Sequence, residues 1–120
     1  MVSNKSKGFI HEDKAISFLE DQGFEILNRN YMGSFGEIDI VCRKDKLFVF
    51  VEVKYRRNKE YGFGEESIDY KKMKKIYYTA MEYTRKIKIK DYSIRFDAII
   101  FLGEKVHWIK NILWGDEIGF

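Results

Sequence analysis

The sequence predicts an α/β protein in which helices flank a mixed β-sheet. Three observations support this fold class. Apolar residues recur with helical spacing at the start and in the middle of the chain, a hairpin pattern lies between these segments, and two strand patterns follow the second one. The hairpin supplies antiparallel pairing, and the second helix returns the chain to a parallel neighbour.

Length and composition limit the classes of protein that the chain can form. Its 120 residues suit one domain spanning positions 1–120, and 45% hydrophobic residues argue for a folded globule. The net charge of only +3 does not by itself indicate a nucleic-acid partner. One cysteine, no apolar signal core and no run of about 20 apolar residues lead us to expect a cytoplasmic protein without a membrane partner.

The first helix is predicted from about residue 4 to residue 22, with Gly23 as its C-terminal cap. Glu12 lies on the apolar stripe of this helix, which also contains Ala15, Ile16 and Leu19. A carboxylate on an inward face needs a reason. Glu12 is either a third acidic group at a metal site or a glutamate at the edge of the stripe that reaches solvent.

A short strand is predicted over residues 24–31, and a tight hairpin over residues 37–57 follows a glycine-containing link. The apolar run from Leu47 to Val51 predicts a strand that is buried on both faces. Cys42 has the opposite parity to Asp39 and is therefore expected in the core.

A two-residue turn at positions 45–46 would set the register of this hairpin. Asp39 would then face Glu52, and Glu37 would face Lys54. Glu37 is interpreted either as a cross-strand ion-pair partner of Lys54 or as an outer contact that supports it at the site.

Two carboxylates that meet at the end of a buried strand should repel each other. A cation is the simplest remedy, and Asp39 and Glu52 offer the hard oxygen ligands that Mg²⁺ (or Mn²⁺) takes. Lys54 points into the same site, where it can stabilise developing negative charge. This set of groups is the chemistry of metal-dependent phosphodiester hydrolysis.

Basic residues follow the hairpin in two groups. Arg56 and Arg57 begin a loop that also carries Tyr61 and Phe63, and this loop is interpreted either as a phosphate and base contact or as a solvated loop. A second helix is predicted from a cap at position 69 to about residue 86. Between residues 71 and 90 there are eight basic residues and one acid, and Lys72 and Lys75 are the candidates for nucleic-acid contacts.

Two further strands are predicted over residues 92–102 and 105–114. Arg95 and Asp97 share parity with Ile99 on the first of them. We interpret Arg95 and Asp97 as a partly buried ion pair beside the site, with a direct catalytic role as the alternative.

The residues Gly36-Glu37-Ile38-Asp39, the segment 50–54 (FVEVK) and the later Arg95-Phe96-Asp97 carry a resemblance to a known family. The chain resembles the small bacterial YraN family (UPF0102), and its Asp39…Glu52-Val53-Lys54 pattern is similar to the PD-(D/E)xK nuclease motif. The resemblance implies a restriction-endonuclease-like core, similarity to archaeal Holliday-junction resolvases, and a role for Glu12.

The function expected from these features is a Mg²⁺-dependent nuclease acting on nucleic acid, with branched or structured DNA as the favoured substrate. The alternative is a nucleic-acid-binding module that does not cleave, or cleaves only within a DNA-processing complex. A structural protein with a cross-strand ion-pair network leaves Asp39 opposite Glu52 unexplained. A homodimer is expected by analogy with resolvases, which cut two symmetric strands.

Overall fold

The computed structural model of the protein describes residues 4–56 and 70–112. In this part of the chain, two helices flank a mixed five-stranded sheet, which confirms the predicted α/β class. The elements are α1 (Asn4–Asp21), β1 (Glu25–Met32), β2 (Glu37–Lys44), β3 (Leu47–Arg56), α2 (Tyr70–Thr84), β4 (Ser93–Leu102) and β5 (Lys105–Ile109).

The end of α1 follows from Gly23, as the sequence predicts. Gly23 has a φ of +92°, in the left-handed region that glycine tolerates best. The Gly23 N–H donates to the Glu20 carbonyl at 2.9 Å, and the Phe24 N–H donates to the Leu19 carbonyl at 3.0 Å. These two bonds are the Schellman pattern, which satisfies carbonyls at the helix end and turns the chain towards β1.

The strands lie in the order β1-β2-β3-β4-β5. The β3–β4 pair is parallel because α2 carries the chain across between them, whereas the other neighbouring pairs are antiparallel. The predicted hairpin register is confirmed, with Lys44 opposite Leu47 and Ile40 opposite Val51. Asp45 opens the turn with a φ of +54°, as favoured two-residue hairpin turns require of their first central residue.

The core consists of one layer on each face of the sheet. Val49 and Val51 pack with Ala15 and Leu19 of α1. Phe50, on the alternate face of β3, packs with a second layer formed by Ile76, Ala80, Val41 and Phe96. The apolar run of β3 is therefore buried on both faces, as its composition predicts.

Cys42 is fully buried in the α1-side layer. Burial is the first cause that raises the pKa of its thiol, to about 12, and the charge of Asp97 adds to it. The side chain is therefore a core residue, as its parity predicts, and remains a neutral thiol at ordinary pH.

Element boundaries differ from the predictions by one or two residues, except at the end of β5. The last strand is predicted to continue to residue 114, but it ends at Ile109. The chain turns at Asn111, whose φ is +63°, and the Ile112 N–H then donates to the Phe96 carbonyl at 2.7 Å. Pairing back onto β4 replaces further extension of β5.

Over residues 4–56 and 70–112, neither helix combines the length and apolar character needed to cross a membrane. The predicted contacts of Arg57, Tyr61 and Phe63, the predicted cap at position 69 and the last residues of the predicted final strand lie outside the described residues.

Candidate functional site

The backbone pairing of β2 with β3 stops beside Asp39. Along these two fully described strands, the ladder ends at Ile40 and Val51, although both strands continue. Asp39 Oδ2 accepts a hydrogen bond from the Val53 N–H at 2.8 Å, so a side chain takes over where the backbone ladder ends. The opening between the strands holds a carboxylate that is bonded to the backbone of the glutamate-bearing strand.

The regular alternation of β2 also breaks at Asp39. Residues two apart on a strand normally share a face. Ile40 nevertheless packs in the α1-side layer, and Ile38 packs in the α2-side layer. The turned strand places Asp39 where it interacts electrostatically with Glu12 of α1 and with Lys72 of α2. The site therefore lies at the end of the sheet, between the two helices.

Glu52 is buried, with 8% of its surface exposed, and two lysines neutralise it. Lys72 Nζ lies 2.7 Å from Glu52 Oε1, and Lys54 Nζ lies 3.8 Å from the same oxygen. These two lysines come from different elements, since Lys54 belongs to β3 and Lys72 to α2. The buried carboxylate is therefore paired with positive charge, as burial of an ionised group requires.

The arrangement disfavours the charged form of Asp39. Burial, followed by the charge of Glu52, raises the pKa of Asp39 to about 7. The Val53 N–H and Lys72 act in the opposite direction, whereas Glu12 raises the pKa further. The repulsion that the sequence predicts between the two carboxylates is therefore present, and hydrogen bonding only partly offsets it.

The two lysines respond to the site in opposite directions. Burial, followed by the hydrogen bond and charge of Lys72, lowers the pKa of Lys54. Burial is the largest single influence on Lys72 and acts to lower its pKa, but the hydrogen bonds with Glu52 and Lys54 and the negative charge of the carboxylates together outweigh burial, so the pKa is raised. Lys72 is therefore the cation that is held more firmly, and Lys54 is the one that loses its proton more readily.

Glu12 points towards Arg29 in this structure. Arg29 Nε donates to Glu12 Oε1 at 3.2 Å, and its Nη1 donates to Asp13. The Glu12 side chain is 13% exposed, so it is mostly buried and paired with Arg29 rather than extended into solvent. Sequence reasoning missed Arg29, whose only signal was a lone basic residue inside a half-buried strand pattern.

The predicted ligand set of three carboxylates is not gathered around one point. Among the described residues, no group of three or more His, Cys, Asp or Glu side chains lies close enough to hold a metal ion. Asp39 and Glu52 interact with each other, while Glu12 is bonded to Arg29. Two hard carboxylate ligands are thus available for a cation, and the raised pKa of Asp39 is an electrostatic cost that a cation would relieve.

The remaining predicted residues are distributed around this centre. Glu37 is exposed, and the described ion pairs of Lys54 do not include it, so the predicted Glu37–Lys54 pair is not formed. Arg56, at the end of β3, interacts electrostatically with Lys54 and donates to the Tyr55 carbonyl at 3.1 Å. Lys75 is exposed on α2.

Arg95 and Asp97 form the predicted ion pair, and it is bidentate. Arg95 Nε and Nη2 each donate to Asp97 at 2.9 Å. Asp97 is fully buried and also accepts from Trp108 Nε1 at 2.9 Å and from the Asn111 N–H at 3.0 Å. The pair therefore joins β4, β5 and the following segment, and its contacts are structural.

The fold and this site together define an α/β protein with paired carboxylates and two lysines at one end of its sheet. The sequence model described as "Uncharacterised protein family UPF0102" matches residues 11–101. A UPF0102 protein of Fusobacterium nucleatum is 44% identical over 119 residues, covering 99% of this chain and 100% of that relative.

Two further relatives extend the same match. A UPF0102 protein of Sulfurihydrogenibium is 40% identical over 92% of this chain and 96% of its own length. One from Persephonella marina is 44% identical over 88% of this chain and 90% of its own length. The chain belongs to the UPF0102 family, which confirms the resemblance drawn from the motifs.

Proposed function

We propose that this protein is a divalent-metal-dependent nuclease, with branched or structured DNA as its favoured substrate. The observation that carries the proposal is the placement of Asp39 and Glu52 in the opening of the β2–β3 ladder, beside Lys54 and Lys72. A Mg²⁺ or Mn²⁺ ion held by Asp39 and Glu52 would polarise a phosphate and acidify a water molecule.

Asp39, Lys54 and Glu12 have distinct roles in this proposal. Asp39 is oriented by the Val53 N–H, so its second oxygen is available for a cation. Lys54 is partly buried beside Glu52 and would stabilise charge that develops on the phosphate. Glu12, which is held by Arg29, raises the pKa of Asp39 and so tunes the site through its charge.

Substrate binding would use the basic groups next to this centre. Lys72 and Lys75 are on the first two turns of α2, and Arg56 ends β3. All three lie on elements that border the carboxylates, so we propose them as phosphate contacts together with Arg57. Cutting two symmetric strands of a junction requires two sites, and we therefore propose a homodimer, which sedimentation of the purified protein would test.

One observation favours a second candidate function. Lys72 lies 2.7 Å from Glu52, so a cation already neutralises this carboxylate without a metal ion. A nucleic-acid-binding module that does not cleave would keep such a paired site for stability. Metal binding distinguishes the two functions, because only the nuclease requires it.

The test compares two identical substitutions in the same hairpin. Asp39→Asn removes a charge at the site, whereas Asp45→Asn removes one at the exposed turn, where asparagine tolerates the positive φ. Mn²⁺ binding is measured by titration calorimetry, and cleavage is measured on a four-way junction, a flapped duplex and a single strand.

The nuclease proposal expects Mn²⁺ binding and cleavage in the wild type and in Asp45→Asn, and loss of both in Asp39→Asn. Cleavage by Asp39→Asn at the wild-type rate would overturn the assignment of the site. If the wild type binds junctions but neither binds Mn²⁺ in their presence nor cuts them, the binding module is the correct function.

A further inference from the structure

Two aromatic side chains are exposed beside each other on the α2 side of the sheet. Phe35, in the turn between β1 and β2, is 50% exposed, and Tyr78 of α2 is 41% exposed. Their ring centroids lie 5.3 Å apart with an interplanar angle of 42°. We call this pair the aromatic platform. Met32, which is 67% exposed, precedes the same turn. Contiguous exposed apolar surface of this kind marks an interaction site.

The turn that carries Phe35 is held firmly against α2. The Ser34 N–H and Oγ donate to the two carboxylate oxygens of Glu82 at 2.8 and 2.7 Å. The turn is closed by the Gly33 N–H, which donates to the Gly36 carbonyl at 2.8 Å. A Cβ on Gly33 would lie 2.8 Å from Thr79 Cγ2, so only glycine allows this close approach. Phe35 is therefore presented by an anchored turn, and the platform is preorganised.

Exposed lysines precede Tyr78 on α2. Lys74 and Lys75 precede Tyr78 by four and three residues on α2, which places them on the same side of the helix. Lys71, one turn earlier, is exposed too. Glu82 is the acid next to the turn. Its carboxylate accepts two hydrogen bonds from Ser34, and these bonds lower the pKa of Glu82. The platform thus joins two aromatic faces with a cationic border.

This combination fits one class of partner best. Unpaired nucleobases stack on aromatic side chains while lysines contact the phosphates that connect them. A second copy of the chain would bring the same lysines face to face around a two-fold axis, and like charges oppose that contact. The charge therefore favours a polyanion with exposed bases over a homodimer at this surface.

The position of the platform relates it to the candidate catalytic site. Lys72, which contacts Glu52, and Tyr78 are six residues apart on α2, or about 9 Å along the helix axis. Successive phosphates of a stacked strand rise by about 3.4 Å, so this axial distance alone corresponds to roughly three nucleotides, and the rotation of about 120° between the two residues around the helix adds to the separation. A strand whose reacting phosphate lies at the Asp39–Glu52 site would reach the platform with a nucleotide a few positions away.

We propose that Phe35 and Tyr78 stack an unpaired base a few nucleotides from the phosphate that reacts at the Asp39–Glu52 site. The substrate class is therefore nucleic acid with a single-stranded segment next to the cutting position, such as a flap, an overhang or an opened branch point. This inference rests on the proposed function for its partner, nucleic acid, and for the position of the reacting phosphate, whereas the stacking itself requires neither metal nor cleavage.

The experiment measures binding in EDTA, where no cutting occurs. Fluorescence anisotropy follows a labelled 12-nucleotide thymidine strand and a blunt hairpin duplex with the same number of phosphates. Phe35→Ala and Tyr78→Ala are compared with Phe35→Tyr, which keeps a ring, and with Phe35→Leu, which keeps only apolar bulk. Val106→Ala, at an exposed apolar residue of β5, is the control for truncation alone.

Loss of one stacked base predicts that either alanine variant binds the single strand roughly 5- to 150-fold more weakly, with little change for the duplex. Phe35→Tyr and Val106→Ala should bind as the wild type does, and Phe35→Leu should bind like Phe35→Ala. A strand with abasic residues in place of thymidines should bind wild type and Phe35→Ala equally. This last comparison distinguishes stacking from a change in the fold.

Three outcomes would overturn the proposal. The alanine variants could bind the single strand as tightly as the wild type does, or they could lose affinity equally for the duplex, or the abasic strand could still distinguish them from the wild type. A wild-type dimer that Phe35→Ala converts to monomer would assign the surface to a second copy. The nuclease proposal is tested separately, by Mn²⁺ binding and cleavage in Asp39→Asn. Its failure and the failure of the stacking proposal can therefore be told apart.

Discussion

Lys72 Nζ lies 2.7 Å from Glu52 Oε1, on the carboxylate that the nuclease pattern assigns to a metal ion. The lysine belongs to α2 and the glutamate to β3, so the contact joins the crossover helix to the central strand. An ammonium group and a divalent ion at Glu52 would compete for the same negative charge. This competition leads to the first prediction.

Replacing Lys72 by methionine should tighten Mn²⁺ binding and weaken nucleic-acid binding. The substitution removes the charge that pairs with Glu52 but keeps an unbranched side chain of similar length. The Lys72 side chain is 39% exposed, so solvent screening limits the effect to about 1 kcal/mol, or about fivefold in affinity. Titration calorimetry measures it, with Lys46→Met in the exposed β2–β3 turn as the control. Weaker Mn²⁺ binding in Lys72→Met would contradict the competition.

Asp39→Asn should stabilise the metal-free protein at alkaline pH. The pKa of Asp39 is about 7 in the folded state against an ordinary value of 3.8, so between these values the folded chain keeps a proton that the unfolded chain has lost. The free energy of unfolding of the wild type therefore falls as pH rises through this window. Asparagine has no proton to lose and can still accept from the Val53 N–H.

Urea unfolding of Asp39→Asn in EDTA at pH 5 and pH 8 measures this effect. The difference between variant and wild type should shift in favour of the variant by on the order of 2 kcal/mol between the two pH values. Asp45→Asn, at the exposed turn, serves as the control and should track the wild type. If the free energy of unfolding changes equally for Asp39→Asn and the wild type between these pH values, the pKa of Asp39 is not raised in the folded protein.

Asp97→Asn should destabilise the fold without changing metal binding. Asp97 is fully buried and accepts four hydrogen bonds, two of them from Arg95. An amide group cannot accept all four, and it leaves the Arg95 charge without its anion. We expect a loss of about 3 kcal/mol in the free energy of unfolding, measured in urea. Glu104→Gln, in the exposed β4–β5 turn, should change it by less than about 0.5 kcal/mol.

Gly33→Ala should destabilise the turn that presents Phe35. The added Cβ would lie 2.8 Å from both Thr79 Cγ2 and Glu82 Oε1, so one of these neighbours or the turn has to move. We expect a cost of about 1–3 kcal/mol in urea unfolding. Thr79→Ser removes the methyl group but keeps the hydroxyl that donates to the Lys75 carbonyl, so it should recover part of this loss in the double variant. If the changes in unfolding free energy caused by Gly33→Ala and Thr79→Ser simply add in the double variant, the added Cβ does not clash directly with Thr79.

The order of elements and the β2–β3 register could be predicted because local signals determine them. The φ of Asp45 and the two-residue turn set the pairing of the hairpin, and Gly23 ends α1. Strand parity likewise identified the Arg95–Asp97 pair. These predictions use residues that are close in sequence, where the period of a strand or helix determines which side chains share a face.

The contacts within the site were predicted less well because distant elements supply them. Lys72 stays a predicted phosphate contact, but its contact with Glu52, twenty positions earlier in the chain, was not predicted. Glu12 was predicted as a metal ligand, and the structure pairs it with Arg29. The Glu37–Lys54 pair assumed that the hairpin remains regular, whereas its ladder ends at Ile40 and Val51.

The sequence by itself determined the fold class, the family and the two carboxylates, because periodicity and the spacing of Asp39 and Glu52-Val53-Lys54 are properties of the chain alone. Only the tertiary structure decided which cations face those carboxylates and that Phe35 lies against Tyr78. Helix packing on both faces of the sheet brings residues tens of positions apart to within a few ångströms of each other. No local period encodes those distances.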